Sequence, residues 1–132
     1  MTAPEQTPTW IKRSMLITDI GFLAYWIATA VQVIPPYAQR VLIDWNWSFL
    51  MLDVLAAGTG LASLRLRTAT RGLQLVSLAL THAAGLNALM FWALRGEFDP
   101  AWWLPNLWLT LFPVAAVTVL LRHRPTTSAG TT

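Results

Sequence analysis

The stretch LQLVSLALTHAAGLNALMFWAL, Leu73–Leu94, decides the fold. It contains no Asp, Glu, Lys or Arg, and Arg71 and Arg95 stand just outside it. A helix needs about 20 largely apolar residues to cross the hydrocarbon core of a bilayer. Three other stretches have the same character, Met15–Ile34, Trp47–Leu64 and Trp103–Leu121. The sequence therefore predicts an all-α polytopic membrane protein, a bundle of four transmembrane helices at about 15–34, 47–64, 73–94 and 103–121. The membrane domain is expected over 11–124. The polar, Thr- and Pro-rich segments 1–10 and 125–132 are expected to be disordered tails. The first span carries Asp19 and ends in Ile34-Pro35-Pro36 without a small-residue cleavage site, so it is expected to be retained rather than removed as a signal peptide.

Composition agrees with a membrane solvent. Of 132 residues, 55% are hydrophobic and 11% are charged, where a soluble domain carries about 25% charge. So few charges cannot cover a globule in water, which excludes a water-soluble enzyme. The absence of cysteine excludes disulfides, a thiolate nucleophile, iron–sulfur clusters and Cys-type zinc sites. No H-x-x-x-H or H-x-x-E-H spacing occurs, and neither a metal nor a cofactor is expected.

The charges lie where a topology needs them. Lys12 and Arg13 precede the first span, Arg65, Arg67 and Arg71 fill the second loop, and Arg122 and Arg124 follow the fourth span. Four crossings bring all of these to one side. The other side receives Arg40 and Arg95 with Asp44, Glu97 and Asp99. The positive-inside rule then places both termini in the cytoplasm, in the inner membrane of a bacterium. The net charge of +3 is a topological signal, and no nucleic-acid partner is expected. Tyr37, Trp45, Trp102 and Trp103 fall in the two outer loops, where aromatic residues form an interfacial belt.

Polar groups inside the spans need a reason, since a charge near the bilayer centre costs about 2.5–3.5 kcal/mol on insertion scales. The candidates are Asp19, Asp53, His82, Asn87 and Asn106. At about 1.5 Å rise per residue, Asp53, His82, Asn87 and Asn106 fall at comparable depth and are expected to line one pocket, with Asp19 roughly 10 Å deeper in a separate cluster or paired with Arg65. Trp26, Trp47 and Trp92 would supply an aromatic wall. The bland alternative is that each polar group fastens two helices together, a weak but common device. Small residues in the second span, Ala56, Ala57, Gly58, Gly60 and Ser63, suit close helix packing.

Three stretches carry a resemblance: Thr18–Trp26 (TDIGFLAYW), Trp45–Asp53 (WNWSFLMLD) and Phe91–Asn106 (FWALRGEFDPAWWLPN). Together they resemble the YvaD-like family of small bacterial four-helix membrane proteins, which implies the architecture without an activity. Trp45, Ser48-Phe49-Leu50 and Asp53, with His82, are also similar to the emopamil-binding and sigma-2 receptor superfamily. That similarity implies a sterol-like or cationic amphiphilic ligand held between helices, with Asp53 as the second-helix acid and His82 as the third-helix histidine. Gln32 stands where that superfamily carries a first-helix acid, so the similarity implies binding more than isomerisation.

Three functions follow as expectations. The leading one is an intramembrane pocket for a lipid, sterol-like or terpenoid ligand. If it catalyses, the reaction is an isomerisation or cyclisation with Asp53 as general acid and His82 as partner base. The second is a non-catalytic accessory or assembly subunit of a larger membrane complex. The third is a subunit of a homo-oligomeric transporter. Membrane lipids are expected partners in each.

Overall fold

The computed structural model describes residues 6–66 and 70–122. Its elements are α1 (Thr9–Ala30), α2 (Arg40–Ser48), α3 (Leu50–Arg65), α4 (Thr70–Leu94) and α5 (Pro100–Arg122). Only Phe49 separates α2 from α3, and Asp53 N–H still donates to Phe49 O at 2.9 Å, so the two run as one segment, Arg40–Arg65. That segment, Thr70–Leu94 and Pro100–Arg122 are long and apolar enough to cross a membrane. Helix α1, which carries Lys12, Arg13 and Asp19, is not among these three.

The helix ends differ from the hydropathy boundaries. Helix α1 starts at Thr9 rather than Met15, and so takes in two residues of the expected tail. It stops at Ala30 rather than Ile34. Gln32 adopts φ +59°, and the N–H groups of Val33 and Ile34 both return to Ala28 O, which closes the helix in the manner of a left-handed C-terminal cap. Pro35 and Pro36 then forbid its continuation. The expected loop 35–46 is helical from Arg40 onward. Its charges give it the hydropathy of a loop, but no Gly or Pro interrupts Arg40–Asn46. The connection between α4 and α5 follows its sequence closely. Gly96 at φ +67° caps α4, with Glu97 N–H donating to Trp92 O at 3.0 Å. Asp99 Oδ1 accepts from Ala101 N–H at 2.9 Å, ahead of Pro100 in the first helical position. The C-terminal tail 125–132 and the anchors Arg67 and Arg124 lie outside the described residues.

Around the bundle α1 packs on α3, α3 on α4 and α4 on α5, whereas α1 and α5 meet only sparsely. Ile11, Met15, Leu78, Phe112, Ala116 and Leu120 form the core where α1 begins. Phe22, Ala56 and Ala57 fill the middle, and Trp26, Phe49, Ala84 and Ala88 the end facing the 31–39 and 95–99 loops. Two glycines set the closest approaches. A methyl group at Gly60 would overlap the Asp19 carboxylate and Ser77 Oγ, and one at Gly85 would overlap Leu109 and Thr110. The outward faces are apolar, with Ile17, Ile20, Met51, Leu86, Met90 and Leu111 all exposed, as lipid-facing helices require.

Candidate functional site

A cavity of about 640 Å³ lies between α1, the continuous α2–α3 segment, α4 and α5, beneath the loop end. Trp26, Trp45, Trp92, Trp102 and Trp108 share its wall with Asp53. Ala84 and Ala88 make room for it, because α4 presents only methyl groups there. Among the described residues, no Lys, Arg or His lines it.

Asp53 is the ionisable carboxylate of this wall, 6% exposed. It sits in the first turn of α3, and its Oδ2 accepts from Trp26 Nε1 at 2.9 Å. Oδ1 is buried without a partner among the described residues, and so is Trp92 Nε1. Several other polar wall groups are engaged. Tyr25 donates to Asn46 Oδ1 at 2.7 Å, Asn106 Nδ2 donates to Trp102 O at 2.8 Å, and Trp108 Nε1 donates to Thr18 Oγ1 at 3.0 Å. Among the buried side-chain polar atoms of the wall, one carboxylate acceptor and one indole donor are left open, and an unpaired buried polar group costs about 1–3 kcal/mol.

A smaller cavity of about 130 Å³ adjoins it at the loop end, with Trp92 and Trp102 on both walls. Tyr37 lies there against both indoles, at ring centroid distances of 6.1 and 5.8 Å. Its hydroxyl is buried without a partner among the described residues, and burial pushes the phenol above its usual pKa, so it stays a neutral donor.

Of the candidates read from the sequence, the structure brings Asp53, Asn106, Trp26 and Trp92 onto one wall. Trp47 packs against Trp26 at 5.2 Å but is 40% exposed and stands outside the cavity. His82 is not on the wall. Its Nδ1 lies 2.8 Å from Thr110 O, beside the carbonyl that Pro113 deprives of its helical donor, and it joins α4 to α5. Asn87 is exposed on the outer face of α4, since the helical turn that aims Ala84 and Ala88 inward turns position 87 away. Asp19 is 1% exposed and separate from the cavity, packed against Gly60 and Ser77 with Oδ2 unpartnered among the described residues. Its expected pairing with Arg65 does not form, because Arg65 is exposed at the end of α3. Tyr25, Trp45, Trp102 and Trp108 also line the cavity, although the sequence marks them only as belt or neutral residues. For Trp108 a signal is present, since it is an indole within an apolar stretch like Trp26 and Trp92.

Residues 11–127 match a family of unknown function, DUF5360. Over 124 residues the chain is 39% identical to the uncharacterized protein YvaD of Bacillus subtilis (strain 168), covering 86% of this chain and 93% of YvaD. No solved structure matches the chain. The similarity to the emopamil-binding and sigma-2 receptor superfamily is not supported by these matches. The match over nearly the whole helical region, together with the YvaD identity, shows that the chain belongs to the DUF5360 family.

Proposed function

We propose that the protein is a four-span protein of a bacterial inner membrane, with both termini cytoplasmic, that holds a lipophilic ligand in the cavity beside Asp53. In this reading α1 is the fourth crossing, and the basic residues at the α1 start, the α3–α4 loop and the α5 end face the cytoplasm. The observation that carries the binding function is the cavity itself: about 640 Å³ walled by indoles, with one buried carboxylate oxygen and one buried indole N–H left unpaired. Small-molecule sites combine an apolar volume of about 300–1,000 Å³ with a few polar groups that orient the ligand. The indoles supply affinity and Asp53 supplies orientation. Acid–base isomerisation or cyclisation has less support than binding, because His82 is engaged in the α4–α5 contact.

The test is mass spectrometry of small molecules that co-purify in mild detergent. The wild-type protein is expected to retain a defined lipophilic species, and Asp53→Asn is expected to lose it while inserting normally. Identical spectra from the two proteins would refute the reading.

A second reading, docking to a partner helix in a larger complex, draws on Gly58. This glycine is exposed on α3 with open space around it, the surface a close helix–helix crossing uses. Gly60, by contrast, is occupied within the bundle by Asp19.

A further inference from the structure

The cavity wall is not all interior. Its exposed transmembrane residues fall on two helices only, Ile17 and Gly21 on α1 and Ala101, Pro105 and Trp108 on α5. These two helices meet far more sparsely than α1 with α3, α3 with α4 or α4 with α5. One described hydrogen bond, Trp108 to Thr18, ties them. A side chain built at Gly21 would meet nothing within 4 Å, so the rim is open at that point. The surface around the opening is apolar, with Ile20, Leu104 and Leu111 more than half exposed.

We propose that the α1–α5 seam is a lateral portal through which the cavity fills from the surrounding hydrocarbon, and that its occupant is a membrane-dissolved, single-chain amphiphile with a small hydrogen-donating head. This rests on the ligand-binding reading above and adds the route and the ligand class. The route follows from the run of the exposed wall along α1 and α5, from Ala101 near the loop end to Ile17 and Trp108 deeper in the bundle. The head follows from the unpaired groups. Asp53 Oδ1 accepts, and Pro105 removes the helical N–H that the carbonyl of Ala101, on the same rim, would otherwise receive. A hydroxyl donates its single proton to one of these acceptors, with Asp53 Oδ1 the buried one, and accepts from Trp92 Nε1. An ammonium satisfies the acceptors and lies against the indole faces. A carboxylate or phosphate head is disfavoured, since the described wall offers it Asp53 and no cation. The cavity volume suits one chain and a small head rather than a two-chain phospholipid.

The experiment uses the full chain in phosphatidylcholine vesicles and reads saturable quenching of tryptophan fluorescence. The probes are a medium-chain alcohol brominated at its tail, the matching amine, the matching alkane and the matching fatty acid. Alcohol or amine is expected to bind at least about tenfold more tightly than alkane, which leaves the polar atoms unpaired, and than fatty acid. Which of the two binds better identifies the head as hydroxyl or ammonium. Gly21→Leu, whose Cβ meets open space at the rim, is expected to weaken binding by about tenfold or more with thermal unfolding unchanged. Gly58→Leu, a similarly open glycine away from the cavity, serves as the matched control and is expected to bind as wild type. Undiminished binding to Gly21→Leu would overturn the portal while leaving the cavity reading standing. Equal binding of alkane or fatty acid would overturn the head assignment. Failure of every probe to saturate the wild-type protein would overturn the cavity reading and the portal with it.

Discussion

Trp26 on α1 donates its indole N–H to Oδ2 of Asp53 on α3 across 2.9 Å, inside a span and on a wall whose described residues include no cation. The bond fixes the carboxylate against one side of the cavity and leaves Oδ1 as its open acceptor. It also ties α1 to α3 at the end facing the 31–39 and 95–99 loops.

Trp26→Phe keeps a ring in the wall but removes the donor. Both Asp53 oxygens would then be unpaired, and the expected cost is about 1–3 kcal/mol. Asp53→Asn retains an acceptor for Trp26 and is expected to cost less. Reversible unfolding in mixed micelles measures both variants. If Trp26→Phe is no less stable than Asp53→Asn, the bond is not what holds the carboxylate.

Gly60→Ala is expected to destabilise by about 1–3 kcal/mol, the usual cost of overpacking a tight contact, because the added methyl overlaps the buried Asp19 carboxylate. Asp19→Ala in the same chain removes the overlapping group. The double variant should therefore be more stable than Gly60→Ala alone, and a double-mutant cycle in micelles reads the coupling. Purely additive effects would show that the two residues do not touch.

His82→Ala removes the bond to Thr110 and is expected to cost about 0.6 kcal/mol, the average for an interhelical hydrogen bond in a membrane. Probe binding in the cavity is expected to be unchanged, since His82 is not on its wall. Quenching titrations on this variant check the assignment. A large loss of binding with intact stability would return His82 to the site.

The helical fold is legible in the sequence because hydropathy and charge report the solvent directly. The four apolar segments stand in it, although α5 starts at Pro100 rather than at Trp103. Rise per residue gives the sequence an expectation of relative depth. Azimuth is not legible. Asp53, His82, Asn87 and Asn106 are expected at comparable depth, but helix rotation sends Asn87 outward and His82 toward α5. An amphipathic helix in water reveals its rotation by its apolar stripe, and that contrast fades when lipid and core are equally apolar. The aromatic wall is obscured for a related reason, because an interfacial belt and a cavity lining use the same side chains. The early start of α2 is hidden by the charges of Arg40 and Asp44, which hydropathy assigns to a loop although nothing in the backbone ends a helix there.

The close of α1 supplies the last prediction. Gln32 occupies the left-handed region at φ +59°, which costs a residue with a side chain about 1–2 kcal/mol and glycine little. The exposed Gln32 side chain makes no described hydrogen bond that would offset this. Gln32→Gly relieves the strain but adds freedom to the unfolded chain, so a net gain of about 0.5–1 kcal/mol is expected. Gly96→Ala is the reciprocal change, forcing a side chain into φ +67°, and is expected to lose about 1 kcal/mol. Opposite shifts in micelle unfolding midpoints would verify both caps. A loss of stability in Gln32→Gly would mean that the side chain at position 32 holds the loop end in a way its strained backbone does not reveal.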